Sequence, residues 1–270
     1  MRNEEYHQEI TSPQNASVKA AAELKQKKYR TQRRLFLAEG LRTTEEAVAA
    51  RAAQSVFYVP EEYLASARMQ RLLERAAADN VRLYAVSAAV MKRIADTETP
   101  QGIVAVCRMQ EQELPQLLAQ GRLLLVLDRV SDPGNMGTML RTADAAGAGG
   151  VVLLAGSADV YAPKTVRSAM GSLFHVPVVT GLSEADFVRA ARQAGYELLI
   201  TALDGADSLY KADLRGRLAF VMGNEAGGVS AGLLAQADKR IFIPMQGQAE
   251  SLNVAVAAGI VMFEALRQRL

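Results

Sequence analysis

From Leu123 onward short apolar runs keep returning: LLLVLD, GVVLLA, VPVVT, ELLITAL, RLAFVMG and KRIFIPM. Helical segments separate most of them. Strands that alternate with helices predict an α/β fold with a mostly parallel sheet and helices covering both faces. Sheets of this kind bind ligands beyond the carboxyl ends of their strands, so the loops that follow the runs are the places to look for chemistry.

The first half of the chain reads as a second, smaller α/β unit. LFLAEG and SVFYVP are predicted strands with a helix over Thr43–Arg51 between them. A helix over Tyr63–Asp79 follows, then strands in VRLYAV and GIVAVCRM. Residues 1–34 form a polar, partly helical arm, 35–110 the small domain, 111–122 a linker holding Pro115, and 123–270 the large domain. Half of the 270 residues are hydrophobic, enough for a sizeable core. No stretch of about 18 uncharged apolar residues exists to span a bilayer. MRNEEYHQEI lacks the apolar centre of a signal peptide. Cys107 is the single cysteine, which excludes an intramolecular disulfide and fits a reducing, cytoplasmic setting. With His7 and His175 it makes too small and scattered a set for zinc, and no metal is expected.

The net charge is only +2, but KQKKYRTQRR concentrates Lys25, Lys27, Lys28, Arg30, Arg33 and Arg34 without an acidic residue. Such a stretch either binds phosphates or forms a solvated helix face. GAGG at 147–150 is no dinucleotide fingerprint, because it closes a helix and precedes a strand. It reads as a helix C-cap. A P-loop is absent from the sequence.

Three places share one design, an apolar strand, then a polar glycine-bearing loop, then a helix. They are LLLVLD-RVSDPGNMG-TMLRTADAAG, LAFVMG-NEAGGVS and RIFIPM-QGQAESLN-VAVAAGIVMFEAL. In the first, Met136, Met139, Leu140, Ala143 and Gly147 fall on one helix face, with Asn135 and Arg141 off it. In the second, Gly223 ends its strand, where a missing Cβ lets a ligand approach the backbone. In the third, Ser251 is placed to cap the last helix, with Asn253 in its first turn. Ala255, Ala258, Gly259 and Met262 form a small-residue stripe suited to close packing. Taken singly, GNEAGG could be an ordinary turn and SLN an ordinary cap.

In their order and spacing, DPGNMGTMLRTADAAG, VMGNEAGG and IPMQGQAESLNVAVAAGI closely resemble the three motifs of the SpoU/TrmH-type RNA 2′-O-ribose methyltransferases. YAPKTVRSAMGSLFHVPV resembles that family's middle segment, so the likeness covers about residues 122–268. RRLFLAEGLRTTEEAV and TPQGIVAVCR more loosely resemble the substrate-binding domain that many members carry. The resemblance implies a deep trefoil knot, a homodimer, and S-adenosylmethionine as cofactor. It implies Arg141 as catalytic residue, with Asn135 helping to position it or the RNA. Gly223, Ile243 and Leu252 match residues holding the adenosine part, with Met245 and Gly247 in the same wall. Ser251 and Asn253 match polar residues near the reaction centre. Glu225 matches the acidic residue of the second motif, which orients the loop or Arg141, or else makes a salt bridge within a dimer.

Methyl transfer from a sulfonium to a ribose hydroxyl needs alignment and the handling of one proton, and no metal. A guanidinium stays protonated in proteins, so Arg141 acts either as the base the family proposal makes it or as a cation at the developing alkoxide. The expected partner is structured RNA, ribosomal in preference to transfer RNA. The rival readings are a non-catalytic RNA-binding or assembly protein and a base methyltransferase. His175, in the apolar run GSLFHVPVV, is expected to be a satisfied core or interface histidine.

Overall fold

In a computed structural model, residues 7–110, 112–202 and 206–270 are described. Residues 1–6 of the expected arm and residue 111 of the expected linker lie outside this set. The chain divides into two compact units, residues 1–110 with 159–174, and 111–158 with 175–270.

The first unit contains β1 (His7–Ile10), α1 (Ala16–Glu23), α2 (Lys27–Arg33), β2 (Leu35–Glu39), α3 (Leu41–Ala49), β3 (Ala53–Tyr58), α4 (Pro60–Ala65), α5 (Ala67–Ala78), β4 (Arg82–Val86), α6 (Ala88–Ile94) and β5 (Ile103–Arg108). Its strands run in the order β1-β4-β3-β5-β2, with β5 antiparallel to both neighbours. The helix expected over Tyr63–Asp79 breaks at Ser66, whose hydroxyl caps α5 by accepting from Met69 N–H.

The stretch set apart in the sequence as an arm is woven into this unit. β1 pairs in parallel with β4, and Ile10, Val18, Ala21 and Leu24 are buried in the same cluster as Phe57, Met91 and Ile94. The polar residues around them hid this apolar face. Arg30 is also corrected as a phosphate ligand. It is 3% exposed, and its guanidinium donates to the carbonyls of Leu24 and Lys25 and to Asp159. Arg33 pairs with Glu23, and Lys25 Nζ donates to the carbonyls of Arg93 and Ala95. Lys27, Lys28 and Arg34 remain exposed.

The second unit begins with α7 (Leu114–Ala119), which occupies the expected linker and buries Leu114, Leu117 and Leu118. Then come β6 (Leu124–Leu127), α8 (Pro133–Ala145) and β7 (Gly150–Leu154). The chain next contributes α9 (Pro163–Ala169) to the first unit, although the sequence reading puts these residues in the large domain. β8 (Val178–Leu182), α10 (Glu184–Gln193), β9 (Glu197–Thr201), β10 (Asp207–Ser208), β11 (Leu218–Met222), α11 (Ala231–Ala235), β12 (Lys239–Phe242) and α12 (Val254–Arg267) complete it. The strand order is β10-β12-β9-β11-β6-β7-β8, and every pairing is parallel. Strands buried on both faces require continuous apolar runs, and β6, β7 and β11 are buried at every position.

GAGG closes α8 as expected, with Gly147 at φ +66° just past the C-cap Ala146. Met136, Met139, Leu140 and Ala143 of α8 are fully buried. His175, expected as a satisfied core or interface histidine, is not in the core and is paired with an acid. Its side chain is 44% exposed and its Nδ1 lies 3.0 Å from the Asp144 carboxylate.

Candidate functional site

β6, β11 and β12 all deliver their carboxyl ends to one edge of the sheet. The three motif loops, 128–132, 223–230 and 243–253, start there. Two linked hydrogen-bond networks lock these loops together.

The first is built on Asp128, which directly follows β6 and is fully buried. Its carboxylate accepts from the backbone N–H of Ser230 at 2.7 Å and from the Arg129 guanidinium at 2.9 and 3.2 Å. Ser230 in turn caps α11. Asn224 Nδ2 donates to the carbonyl of Arg129 at 2.9 Å, fastening the second loop to the first again.

The second network is built on Glu225. Its carboxylate accepts from Ser131 N–H at 3.1 Å, Ser131 Oγ at 2.9 Å, Asp132 N–H at 3.1 Å and Asn135 Nδ2 at 3.2 Å. Burial alone would raise this carboxyl. The donors outweigh it, from its own backbone, Ser131, Asn135 and Asp132, and hold it at about 2. Glu225 is therefore a firm anion that fixes the turn entering α8. The same turn is held by Asp132, whose side chain caps α8 by accepting from Asn135 N–H at 2.8 Å.

Asn135 carries the network onward, its Oδ1 accepting from Asn253 Nδ2 at 3.0 Å. Asn253 corrects a detail of the sequence reading, because it is the N-cap of α12 and Ser251 is not. Its Oδ1 accepts from Ala255 N–H and Val256 N–H. SLN offers two residues able to cap, and only the start of the helix shows which one does. α12 then packs along α8, where a Cβ at Gly259 would meet Thr142 Cγ2 at 3.4 Å.

Beside this network lies a cavity of about 500 Å³, within the range typical of small-molecule sites. Gly223, Ile243, Met245 and Leu252 line it, together with Glu225, Ser251 and Asn253. Gly247 does not. Met245 is 39% exposed and Leu252 36%, which leaves apolar surface open to the cavity. An adenine ring or a thioether chain suits such walls, and the Glu250, Ser251 and Asn224 side chains give polar contacts at the rim.

The structure adds a reason for glycine at 223 that lies within the chain itself. A Cβ there would collide with the Gly228 carbonyl group and Val229 nitrogen of the chain's own loop. That loop folds back through the backbone pair Asn224–Gly228.

Arg141 stands apart from this assembly. It lies six residues beyond Asn135 on α8, about 9 Å along the axis and roughly a third of a turn around it. It is exposed, does not line the cavity, and forms no hydrogen bond or ion pair with any described residue. Asn135 spends its amide on Glu225 and Asn253, and Glu225 orients the loop; neither holds Arg141.

The sequence reading missed Asp128, Ser131 and Asn224. The available signals were a carboxylate ending the apolar run LLLVLD and an asparagine directly after the strand LAFVMG. Among the described residues no group of three or more His, Cys, Asp or Glu side chains is arranged to hold a metal ion. None of the described helices is long and apolar enough to cross a membrane.

Known proteins place this geometry. Residues 122–263 match the SpoU rRNA Methylase family, and residues 15–105 match the MRM3-like substrate binding domain. The chain is 40% identical to the 23S rRNA (guanosine(2553)-2′-O)-methyltransferase RlmP of Bacillus subtilis, over 94% of this chain and 98% of that one. An AdoMet-bound rRNA methyltransferase from Sinorhizobium meliloti superposes with a TM-score of 0.88 at 34% identity, covering 98% of this chain and 99% of that one. AviRb from Streptomyces viridochromogenes, a SpoU methyltransferase solved with the cofactor AdoMet, gives 0.83 at 32% identity over 95% and 98% of the two chains. The chain belongs to the SpoU rRNA methylase family.

Proposed function

We propose that this protein transfers a methyl group from S-adenosylmethionine to a ribose 2′-hydroxyl of ribosomal RNA. The observation that carries the reading is the hydrogen-bonded junction of the three motif loops beside an apolar-walled cavity. Its relatives support the substrate, since RlmP is a 23S rRNA 2′-O-methyltransferase matched across both units. The bound cofactor supplies an already activated methyl, so the protein's task is alignment and proton handling.

In this reading Gly223, Ile243, Met245 and Leu252 hold the cofactor against the carboxyl ends of β11 and β12. Gly247 acts only through the conformation of its loop. Ser251 and Asn253 present polar atoms to the incoming ribose. Glu225, ionised at neutral pH and satisfied by its donors, is a poor proton acceptor. It positions Asn135 and the Ser131–Asp132 turn. Arg141 carries a free guanidinium suited to a backbone phosphate and to the charge developing on the 2′-oxygen.

The protein works as a cytoplasmic homodimer in this reading, with the trefoil knot that the sequence likeness implies. α12 favours the dimer: Val256 and Phe263, one heptad apart on one face, are 53% and 47% exposed. Lys27, Lys28 and Arg34 supply the exposed part of the basic stretch to RNA.

The test is transfer of tritiated methyl from S-adenosylmethionine to unmodified 23S ribosomal RNA and to transfer RNA, with wild type and Arg141→Ala. Nuclease digestion and mass spectrometry then place the methyl. Label on a ribose of ribosomal RNA that falls at least 100-fold in the variant is the expected result, on the order of the loss when one stabilising group is removed. Label confined to transfer RNA, methyl on a base, or cofactor binding without transfer to either RNA overturns the reading.

A further inference from the structure

The basic stretch ends at a sheet edge that carries more cationic side chains than the sequence reading assigned. β3 and β4 start at this edge, β5 ends there, and β2 starts there. The neighbouring strands β4, β3, β5 and β2 bring Arg82, Arg51, Arg108 and Arg34 to it in that order. At about 4.8 Å per strand the row is roughly 14 Å long. Between its members lies a cavity of about 750 Å³, lined by Arg51, Arg82 and Arg108, with Gln54 and Asn80 as further polar groups and Asp79 as its single carboxylate.

Two observations separate this row from an ordinary solvated face. Among the described residues, Arg51, Arg82 and Arg108 form no ion pair. Arg108 donates to the carbonyl of Arg51 at 2.8 Å, and the guanidinium groups of Arg51 and Arg82 make no hydrogen bond. Cations near helix ends commonly bond the last carbonyls, and these two do not. The backbone is also unusual. Arg34, Arg51 and Asn80 take left-handed φ values of 58°, 54° and 59° just past α2, α3 and α5. Glycine or asparagine ordinarily fills such positions, so an arginine held there is strained backbone.

We propose that this arginine-lined edge is a docking site for consecutive phosphates of an RNA strand, distinct from the cavity that faces the three motif loops. It rests on the reading that the substrate is RNA and names a surface that holds it. Arg51, Arg82 and Arg108 contact the backbone and read no base, so they contribute affinity and salt dependence and leave sequence choice to other contacts. Asp79, the single carboxylate beside them, repels phosphate, so its removal is expected to strengthen RNA binding.

The test compares the full-length wild type with the triple variant Arg51→Gln/Arg82→Gln/Arg108→Gln and with the single charge reversal Arg82→Glu. Arg82 is exposed and its guanidinium bonds no described residue, so that variant folds even where the triple variant does not. Affinity for a 23S ribosomal RNA fragment is measured by fluorescence anisotropy from about 50 to 300 mM salt. In the triple variant the slope of log Kd against log salt is expected to fall by about two, and Kd at 0.1 M salt to rise by on the order of tenfold or more. Arg82→Glu is expected to weaken RNA binding several-fold while S-adenosylmethionine binding stays intact. Unchanged RNA affinity and slope in both variants overturn the proposal. So does 1:1 binding of inorganic phosphate that both variants abolish without any change in RNA slope, which would make the site one for a small anion. Wild type that binds this RNA through the arginines and methylates none sinks the proposed function alone.

Discussion

Asn253 donates its side-chain amide to Asn135 Oδ1 across 3.0 Å, joining two motifs 118 residues apart in sequence. Chemistry fixes the direction of this bond. Glu225 can only accept, so Asn135 must turn its Nδ2 toward it and its Oδ1 toward Asn253. Asn253 must turn its own Oδ1 to the N–H groups that open α12, leaving Nδ2 for Asn135. One proton-donor order therefore runs from the start of α12 to the Glu225 carboxylate. Asn253→Asp separates the two jobs of this residue. Aspartate caps a helix as well as asparagine, so the melting temperature should stay within about 2 °C. It cannot donate to Asn135, so methyl transfer should fall at least tenfold. Asn253→Ala should lose the cap as well, about 1 kcal/mol, and melt roughly 2–4 °C lower. Full activity in Asn253→Asp would show that the relay is not used.

Glu225 gives the protein an acid-sensitive component. Its folded value of about 2 lies below its usual 4.5, so the folded state favours the ionised form. That contribution to stability is complete above about pH 4.5 and is lost as pH falls toward 2. Glu264 is shifted the same way, to about 2, chiefly by the Arg267 hydrogen bond and then by Gln268. Glu225→Gln removes only the first of the two. Urea unfolding at pH 7, 4 and 3 should show wild type more stable than Glu225→Gln at pH 7, with the gap narrowing at each step down. A gap independent of pH would mean the carboxylate is not held as an anion.

Gly223 admits no side chain, because the atoms that a Cβ would strike are the backbone of Gly228 and Val229. A flexible neighbour could move aside; a backbone held by the Asn224–Gly228 pair cannot do so without opening the loop. Gly223→Ala is expected to lose about 2–3 kcal/mol of stability, seen as a melting temperature roughly 5–10 °C lower. The same loop lines the cavity, so calorimetric affinity for S-adenosylmethionine should weaken at least tenfold. A variant that melts and binds like wild type would mean that the loop closes without glycine.

The parallel sheet and the position of its loops were legible because β6, β7 and β11 are uninterrupted apolar runs between turn residues. The family was legible because three polar loops keep a fixed order. What the sequence hid depends on partners remote in the chain. Nothing local marks Asp128 as the acceptor for Ser230, 102 residues away, or Gly223 as the residue on which the second loop closes. The arm misled for a related reason. Its buried positions, Val18, Ala21 and Leu24, follow a helical period, but they are diluted by the lysines and glutamates around them. Only their pairing with β4 and α6 reveals a core face.

Arg30 is the sharpest case, since it sits in the most basic stretch of the chain and faces inward. Its side chain is 4% exposed, and Asp159 reaches it from 129 residues away. Two carbonyls and one carboxylate use the planar fork, a geometry that an ammonium does not reproduce. Removing one member of a buried ion pair strands the other, at a cost of about 3 kcal/mol or more. Arg30→Met and Arg30→Lys should both unfold at clearly lower urea, and Asp159→Asn should behave like them. RNA affinity should separate Arg30 from its neighbours. The double variant Lys27→Gln/Lys28→Gln should bind RNA several-fold more weakly with unchanged stability, because those side chains are exposed. Arg30→Lys, measured at a temperature where it is folded, should bind RNA as wild type does. If it instead weakens RNA binding and leaves stability intact, Arg30 works as a phosphate ligand after all.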